Sequence, residues 1–229
     1  HKQPVKFDEL MQEIAFLLAL LIEHNALISP VLQTALAASR ASLYVPQITG
    51  EIPAIPALDA SLNLNVSPLI EPLKDPIIQT LKLFKSNKTI THNHDMSLIE
   101  IEDSQRLQIS FYKNILLFPL IDDIYLSCTL LSTPDKTKDA ILNRFVEIAN
   151  FFSIEFSPDR AMERAQETLE VFIKRRWVEE NNDCIDIVTS ASDALQKLSR
   201  CIAHHIESYK CVCHAFEKLT DIIEESKFI

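Results

Sequence analysis

Apolar positions in this chain recur mostly three or four residues apart, the spacing of helices with one buried face. Asp8 can cap such a run over residues 9–25. Ser29-Pro30 predicts a second helix to about residue 39, with serine as its cap and proline in its first turn. From Tyr44 to Pro76 the spacing breaks down. Pro46, Pro53, Pro56, Pro68, Pro72 and Pro76 separate short apolar pieces there, which reads as an ordered excursion or lid. Asp75-Pro76 then predicts a helix to about Phe84. Two short strands, 89–92 and 97–102, flank the polar turn Asn93-His94-Asp95.

The same order returns further on. Helices are expected over 106–131 (bent near Pro119), over 137–152, and from Ser157-Pro158 to Arg176. Trp177-Val178 and residues 184–188 enclose a second hairpin with its turn at 179–183, and a last helix covers 192–225. Leu195, Leu198, Ile202, Ile206, Tyr209 and Phe216 give that helix a heptad-like stripe. Phe111, Tyr112, Leu116, Leu117, Ile121 and Leu126 are expected to lie mainly inside, joining the two halves.

Those halves repeat. Glu13-Ile14-Ala15 recurs as Glu147-Ile148-Ala149, and Thr80-Leu81 with Phe84 recurs as Thr168-Leu169 with Phe172. The two offsets differ by about the length of the proline-punctuated excursion. The fold class this predicts is mainly α with two small β-hairpins, as two winged-helix-like repeats joined by a long helix. The first unit covers residues 1–103, with the excursion at 44–76, and the second covers 104–229.

Composition narrows the chemistry. A single glycine, Gly50, among 229 residues excludes glycine-rich phosphate loops and dinucleotide fingerprints. Each of those needs several positions where only glycine lets the backbone approach a phosphate. A net charge of −10 repels nucleic acid and anionic headgroups over the chain as a whole, although a local basic patch can survive it. Five cysteines, an odd number, in a chain large enough to build its own core point to a reducing, intracellular compartment. His1 is not an initiator and no secretory pattern follows it, which predicts a fragment or a processed chain. The longest apolar run, Ile14 to Ile22, is nine residues, against about twenty for a membrane span. It predicts a buried helix.

Candidate sites are few. His92, His94 and Asp95 are metal-competent, but neighbours on a strand or turn point apart and no fourth ligand has a recognisable spacing. Cys201, His204, His205, Cys211, Cys213 and His214 lie along one expected helix, and one straight helix cannot wrap an ion. Asp122-Asp123 diverge as helix neighbours and read as a helix start or a solvent-facing pair. No metal and no cofactor is expected, and no residue is assigned a catalytic role. Lys174, Arg175 and Arg176 are the substrate-binding candidates, because clustered cations suit a phosphate dianion. The plain alternative is a helix C-terminus, where the macrodipole favours cations.

Phe172-Ile173-Lys174-Arg175-Arg176 resembles the Phe-Ile-Arg-Arg block of glycerol-phosphate acyltransferases. More of the chain is similar to the region after the catalytic domain in glycerol-3-phosphate and dihydroxyacetone-phosphate acyltransferases, especially the mitochondrial type. Asp75-Pro76-Ile77-Ile78 before Leu81, and Thr89-Ile90-Thr91-His92, carry part of the likeness. Leu107-Gln108-Ile109-Ser110-Phe111-Tyr112-Lys113-Asn114 resembles the family's Leu-x-Leu-x-Tyr-Tyr-x-Asn segment and runs on through Leu116 and Leu117 to the helix around Cys128. Residues 7–23 are similar to the helix after the catalytic domain. Residues 198–216, with Glu207-Ser208-Tyr209, resemble a C-terminal Leu-Glu-x-Tyr helix.

The family's His-x-x-x-x-Asp motif is missing: no histidine has an acidic residue five positions on. The resemblance therefore implies a helical C-terminal region of such an acyl-CoA-dependent enzyme, without the base that deprotonates the glycerol hydroxyl. It implies glycerolipid synthesis, a mitochondrial membrane setting with peripheral membrane contact, and an acyltransferase domain as partner, in the same protein or a separate chain. The competing expectation is a non-enzymatic scaffold that binds another protein subunit through apolar helices at 14–22 and 31–38. A winged-helix nucleic-acid contact through Arg160, Arg164 and Lys174 to Arg176 is opposed by the overall acidity.

Overall fold

The computed structural model describes residues 4–24, 26, 28–38, 66–93, 97–106, 109 and 117–226. Expectations for residues 39–65, for His94 and Asp95, and for Phe111, Tyr112 and Leu116 lie outside them. The chain divides into two compact units: residues 1–121 with 174–176, and residues 122–173 with 177–229. Eight α-helices and two small antiparallel sheets occur among the described residues, as the mainly α class requires.

In the first unit α1 (Phe7–Glu23), α2 (Pro30–Ala38) and α3 (Ser67–Ser86) accompany β1 (Val5–Lys6), β2 (Ile90–His92) and β3 (Leu98–Ile101). The strands pair in the order β1–β3–β2. Helix α1 starts before Asp8, not after it. The Phe7 N–H donates to Ser97 O at 3.0 Å, which fastens the helix start to the sheet. Asp8 and Glu9 then fall in the first turn, where carboxylates suit the helix dipole. The Ser29 cap is present, its Oγ accepting the Leu32 N–H at 3.3 Å.

The largest correction concerns α3. It begins at Ser67 and runs through Pro72 and Pro76, where the sequence predicted an excursion as far as Pro76. Prolines four residues apart lose bonds to carbonyls that are themselves four apart, so the gaps lie on one stripe of the helix. Packing offsets the cost, about 3 kcal/mol per interior proline. Leu73 is fully buried with Met11, Ala15 and Leu18, and Leu69, Ile70 and Ile77 pack against them. A second cluster joins Leu81 to Ile90 and Ile99 of the sheet.

Pro119 lies in a 3-10 turn, Phe118–Leu120, that leads into α4 (Ile121–Ser132). Leu117, Ile121 and Leu126 are buried, as their spacing predicted. The second unit continues with α5 (Lys138–Phe151), α6 (Ala161–Lys174), β4 (Val178–Asn181), β5 (Cys184–Ile187), α7 (Ser192–Cys201) and α8 (Ala203–Ser226). Its core includes Tyr125 edge-on to Phe145 at 5.8 Å and stacked on Phe152 at 5.9 Å.

Three expected boundaries shift here, each for a local reason. Ser157 Oγ accepts the Asp159 N–H and Arg160 is left-handed (φ 53°), so α6 waits until Ala161. The second hairpin turns on Asn182 and Asp183 alone, both left-handed (φ 48° and 63°), and residues 179–181 belong to its first strand. That is a type I′ turn, whose twist matches the strands. The last helix is interrupted at Ile202, whose buried side chain stays in the core while its N–H turns to Arg200 O. Beyond it Ile206 is exposed, while Tyr209 is half-buried with its ring 5.9 Å from that of Phe152.

The repeat is written in backbone hydrogen bonds. At the ends of α3 and α6, Thr89 N–H reaches Phe84 O at 2.8 Å and Trp177 N–H reaches Phe172 O at 2.9 Å. In each closure the preceding residue is left-handed, Lys88 (φ 57°) and Arg176 (φ 54°), in the place where glycine usually sits. Each hairpin is then closed by one bond, Glu102 N–H to Thr89 O and Val188 N–H to Trp177 O. The start of α5 mirrors that of α1, with Lys138 N–H donating to Asp183 O at 2.7 Å. Thr137 bridges Cys184 as Lys6 pairs with Leu98. Ala15 and Ala149, the matched alanines, are both fully buried.

Candidate functional site

The closure of α6 decides where the three cations stand. Phe172 and Trp177 pack ring against ring at 4.9 Å across it, holding the turn from inside. Lys174 and Arg176 are exposed, whereas Arg175 between them is turned in and buried. Arg175 and Glu23, both in the first unit, form an ion pair: Nε donates to Oε1 at 3.1 Å and Nη2 lies 2.9 Å from Oε2. A guanidinium this close to a carboxylate has its charge balanced by its own fold. The string therefore presents two outward cations and one inward ion pair. Glu23, the last residue of α1, has no sequence signal linking it to Arg175, because such a pairing depends on the tertiary fold.

Other candidates disperse. Asp123 is buried and Asp122 sits 3.5 Å from Arg164, so a solvent-facing carboxylate pair is not what the first turn of α4 presents. Arg164 also donates to Ser157 O, and Arg160 forks onto Glu163. Glu163, Glu167 and Glu170 share the exposed side of α6, a surface that repels phosphate. His92 Nδ1 lies 2.7 Å from the Asn93 carbonyl. His205 is buried against Phe152 and Phe156, and Tyr209 donates to Glu155 at 2.7 Å. No group of three metal-competent side chains occurs among the described residues.

A cleft of about 660 Å³ lies in the first unit, lined by Lys6, Phe7, Asp8, Lys74, Ile78, Ser97 and Leu98. Its charges are mixed, with Lys6 already 3.5 Å from Glu9. No described helix is long and apolar enough to cross a membrane.

Cys128, half-buried on α4 with Sγ 4.0 Å from Ser199 O, is held as a thiol. Burial pushes it up to about 11, and nearby Cys201 adds to the shift. The folded state thus keeps this proton more tightly than the unfolded chain does. The stability Cys128 contributes is full below pH 9.0 and is lost as pH rises through about 11. Urea unfolding across that window is expected to show the loss, and Cys128→Ala to flatten it. At neutral pH iodoacetamide should label the exposed Cys211 and Cys213 well before Cys128.

The family model described as "Glycerol-3-phosphate acyltransferase C-terminal region" matches residues 1–229, the whole chain. The chain belongs to this family. It is a protein related to the glycerol-3-phosphate acyltransferases, and so to glycerolipid synthesis. No match was found among curated proteins or among solved structures.

Proposed function

We propose that the chain is a non-catalytic C-terminal region that packs on an acyltransferase domain, in the same protein or a separate chain, and regulates it. The supporting observation is Arg175. A phosphate dianion is held by converging cations, and the central one of this string is already matched by Glu23. Acyl transfer also needs a base for the glycerol hydroxyl, and the family's His-x-x-x-x-Asp pair is not in this sequence. The likeness to the mitochondrial type supports a setting at the mitochondrial membrane.

The isolated chain is expected to transfer no acyl group from acyl-CoA to labelled glycerol-3-phosphate. Added to a separately expressed acyltransferase domain, it should co-purify with that domain and change its rate. Turnover by the chain alone that disappears in Lys174→Gln/Arg176→Gln would overturn the proposal and make the basic string a substrate site.

A scaffold role is favoured by a different observation. Phe151 and Ile154 are 55% and 86% exposed, and Phe151 lies 4.9 Å from the Tyr209 ring, an apolar surface suited to a protein partner. Failure to bind the acyltransferase domain, with capture of another subunit lost in Phe151→Ser/Ile154→Ser, would select this second reading.

A further inference from the structure

We infer that the protruding end of α3, residues 82–88, is a docking point for an anionic lipid surface. Lys82, Lys85 and Lys88 supply the charge, and Leu83 and Phe84 the apolar contact. Every residue in this stretch is exposed, Leu83 at 57% and Phe84 at 40%. It contains no acidic residue. Its three lysines make no ion pair with any described residue. Several cations elsewhere are matched, as in Lys138–Glu180, Arg144–Glu147, Arg164–Asp122 and Lys197–Asp193. On a chain of net charge −10, three unmatched lysines at one corner form a local field of the opposite sign, which attracts an anionic partner.

The placement of the apolar side chains says which partner. Leu83 and Phe84 are sequence neighbours and leave the helix about 100° apart. A protein groove reads one stripe of a helix, at spacings of three and four residues. A headgroup layer instead surrounds a helix end on every side, so diverging apolar side chains can enter together. Lysine stems then lie along the apolar region while their ammonium groups stay at the phosphates. The corner is held by its own bonds: Asn87 N–H and Ser86 Oγ both donate to Leu83 O, and Thr89 N–H donates to Phe84 O.

The test is cosedimentation of the full chain with two kinds of vesicle: phosphatidylcholine alone, and equal parts phosphatidylcholine and phosphatidylglycerol. Binding is expected to the second only, and to weaken with salt. Each lysine neutralised should lower it about fivefold, so Lys82→Gln/Lys85→Gln/Lys88→Gln should lower it about a hundredfold. Leu83→Ser/Phe84→Ser should abolish the part that resists salt. All five side chains are exposed, and an unchanged circular dichroism spectrum would show that each variant folds. Undiminished binding by the lysine variant, or equal binding to both vesicles, would overturn the proposal. So would retention on a polyglutamate resin without vesicle binding, which would give the corner to an acidic protein.

Discussion

Phe145→Ala is expected to lower the unfolding free energy by about 3–5 kcal/mol, read from the urea midpoint at constant m-value. Phe145 is fully buried in α5 and meets Tyr125 in a T-shaped contact at 5.8 Å. Tyr125 in turn stacks on Phe152 at 5.9 Å and meets Phe156 edge-on at 6.4 Å. Removing the Phe145 ring takes away transfer energy and leaves a cavity that its stacked neighbours cannot close. A loss below about 1 kcal/mol would mean that the second unit does not fold around this cluster.

The same cluster supplies its own contrast. Tyr125 is fully buried, and its hydroxyl has no hydrogen-bond partner among the described residues. Burial raises its pKa, so the phenol stays protonated throughout the usual pH range. An unmade bond of this kind costs about 1–3 kcal/mol in desolvation. Tyr125→Phe should therefore be neutral or stabilising, beside the large loss in Phe145→Ala. Marked destabilisation by Tyr125→Phe would show that the hydroxyl does find a partner.

What the sequence disclosed follows from how local each feature is. Both hairpins are legible in short alternating runs next to polar turns, and both helix closures in the recurrence of Thr80-Leu81 and Phe84 as Thr168-Leu169 and Phe172. The missed features depend on something outside the window. Pro72 and Pro76 argue against a helix unless the burial of Leu73 among Met11, Ala15 and Leu18 is already known. Arg160 and Arg176 take left-handed positions that the sequence would normally mark with glycine, and Gly50 is the only glycine. The interruption at Ile202 has no breaker residue, since the core and not the local sequence sets it. At the candidate site, Lys174 to Arg176 were identifiable as a cationic string. Their division into two outward side chains and one inward pair required Glu23, more than a hundred residues away.

That division makes the second large effect testable. Glu23→Ala is expected to cost about 3 kcal/mol, because it leaves the Arg175 guanidinium buried without its carboxylate. Arg175→Ala should cost somewhat less, since Glu23 is 38% exposed and water can meet part of its charge. The informative variant is Glu23→Leu/Arg175→Met, which removes both charges and keeps most of the volume. Replacing a whole buried pair by apolar side chains is often neutral, so this double substitution should recover most of the loss in Glu23→Ala. A coupling energy near zero, with each single variant harmless, would mean that Arg175 is held by other contacts and that its charge is available. A phosphate-binding role has a different signature: Arg175→Met would weaken affinity for glycerol-3-phosphate while stability stays unchanged. Recovery in the double variant, with no change in that affinity, identifies the pair as a structural brace and places the phosphate chemistry on other residues.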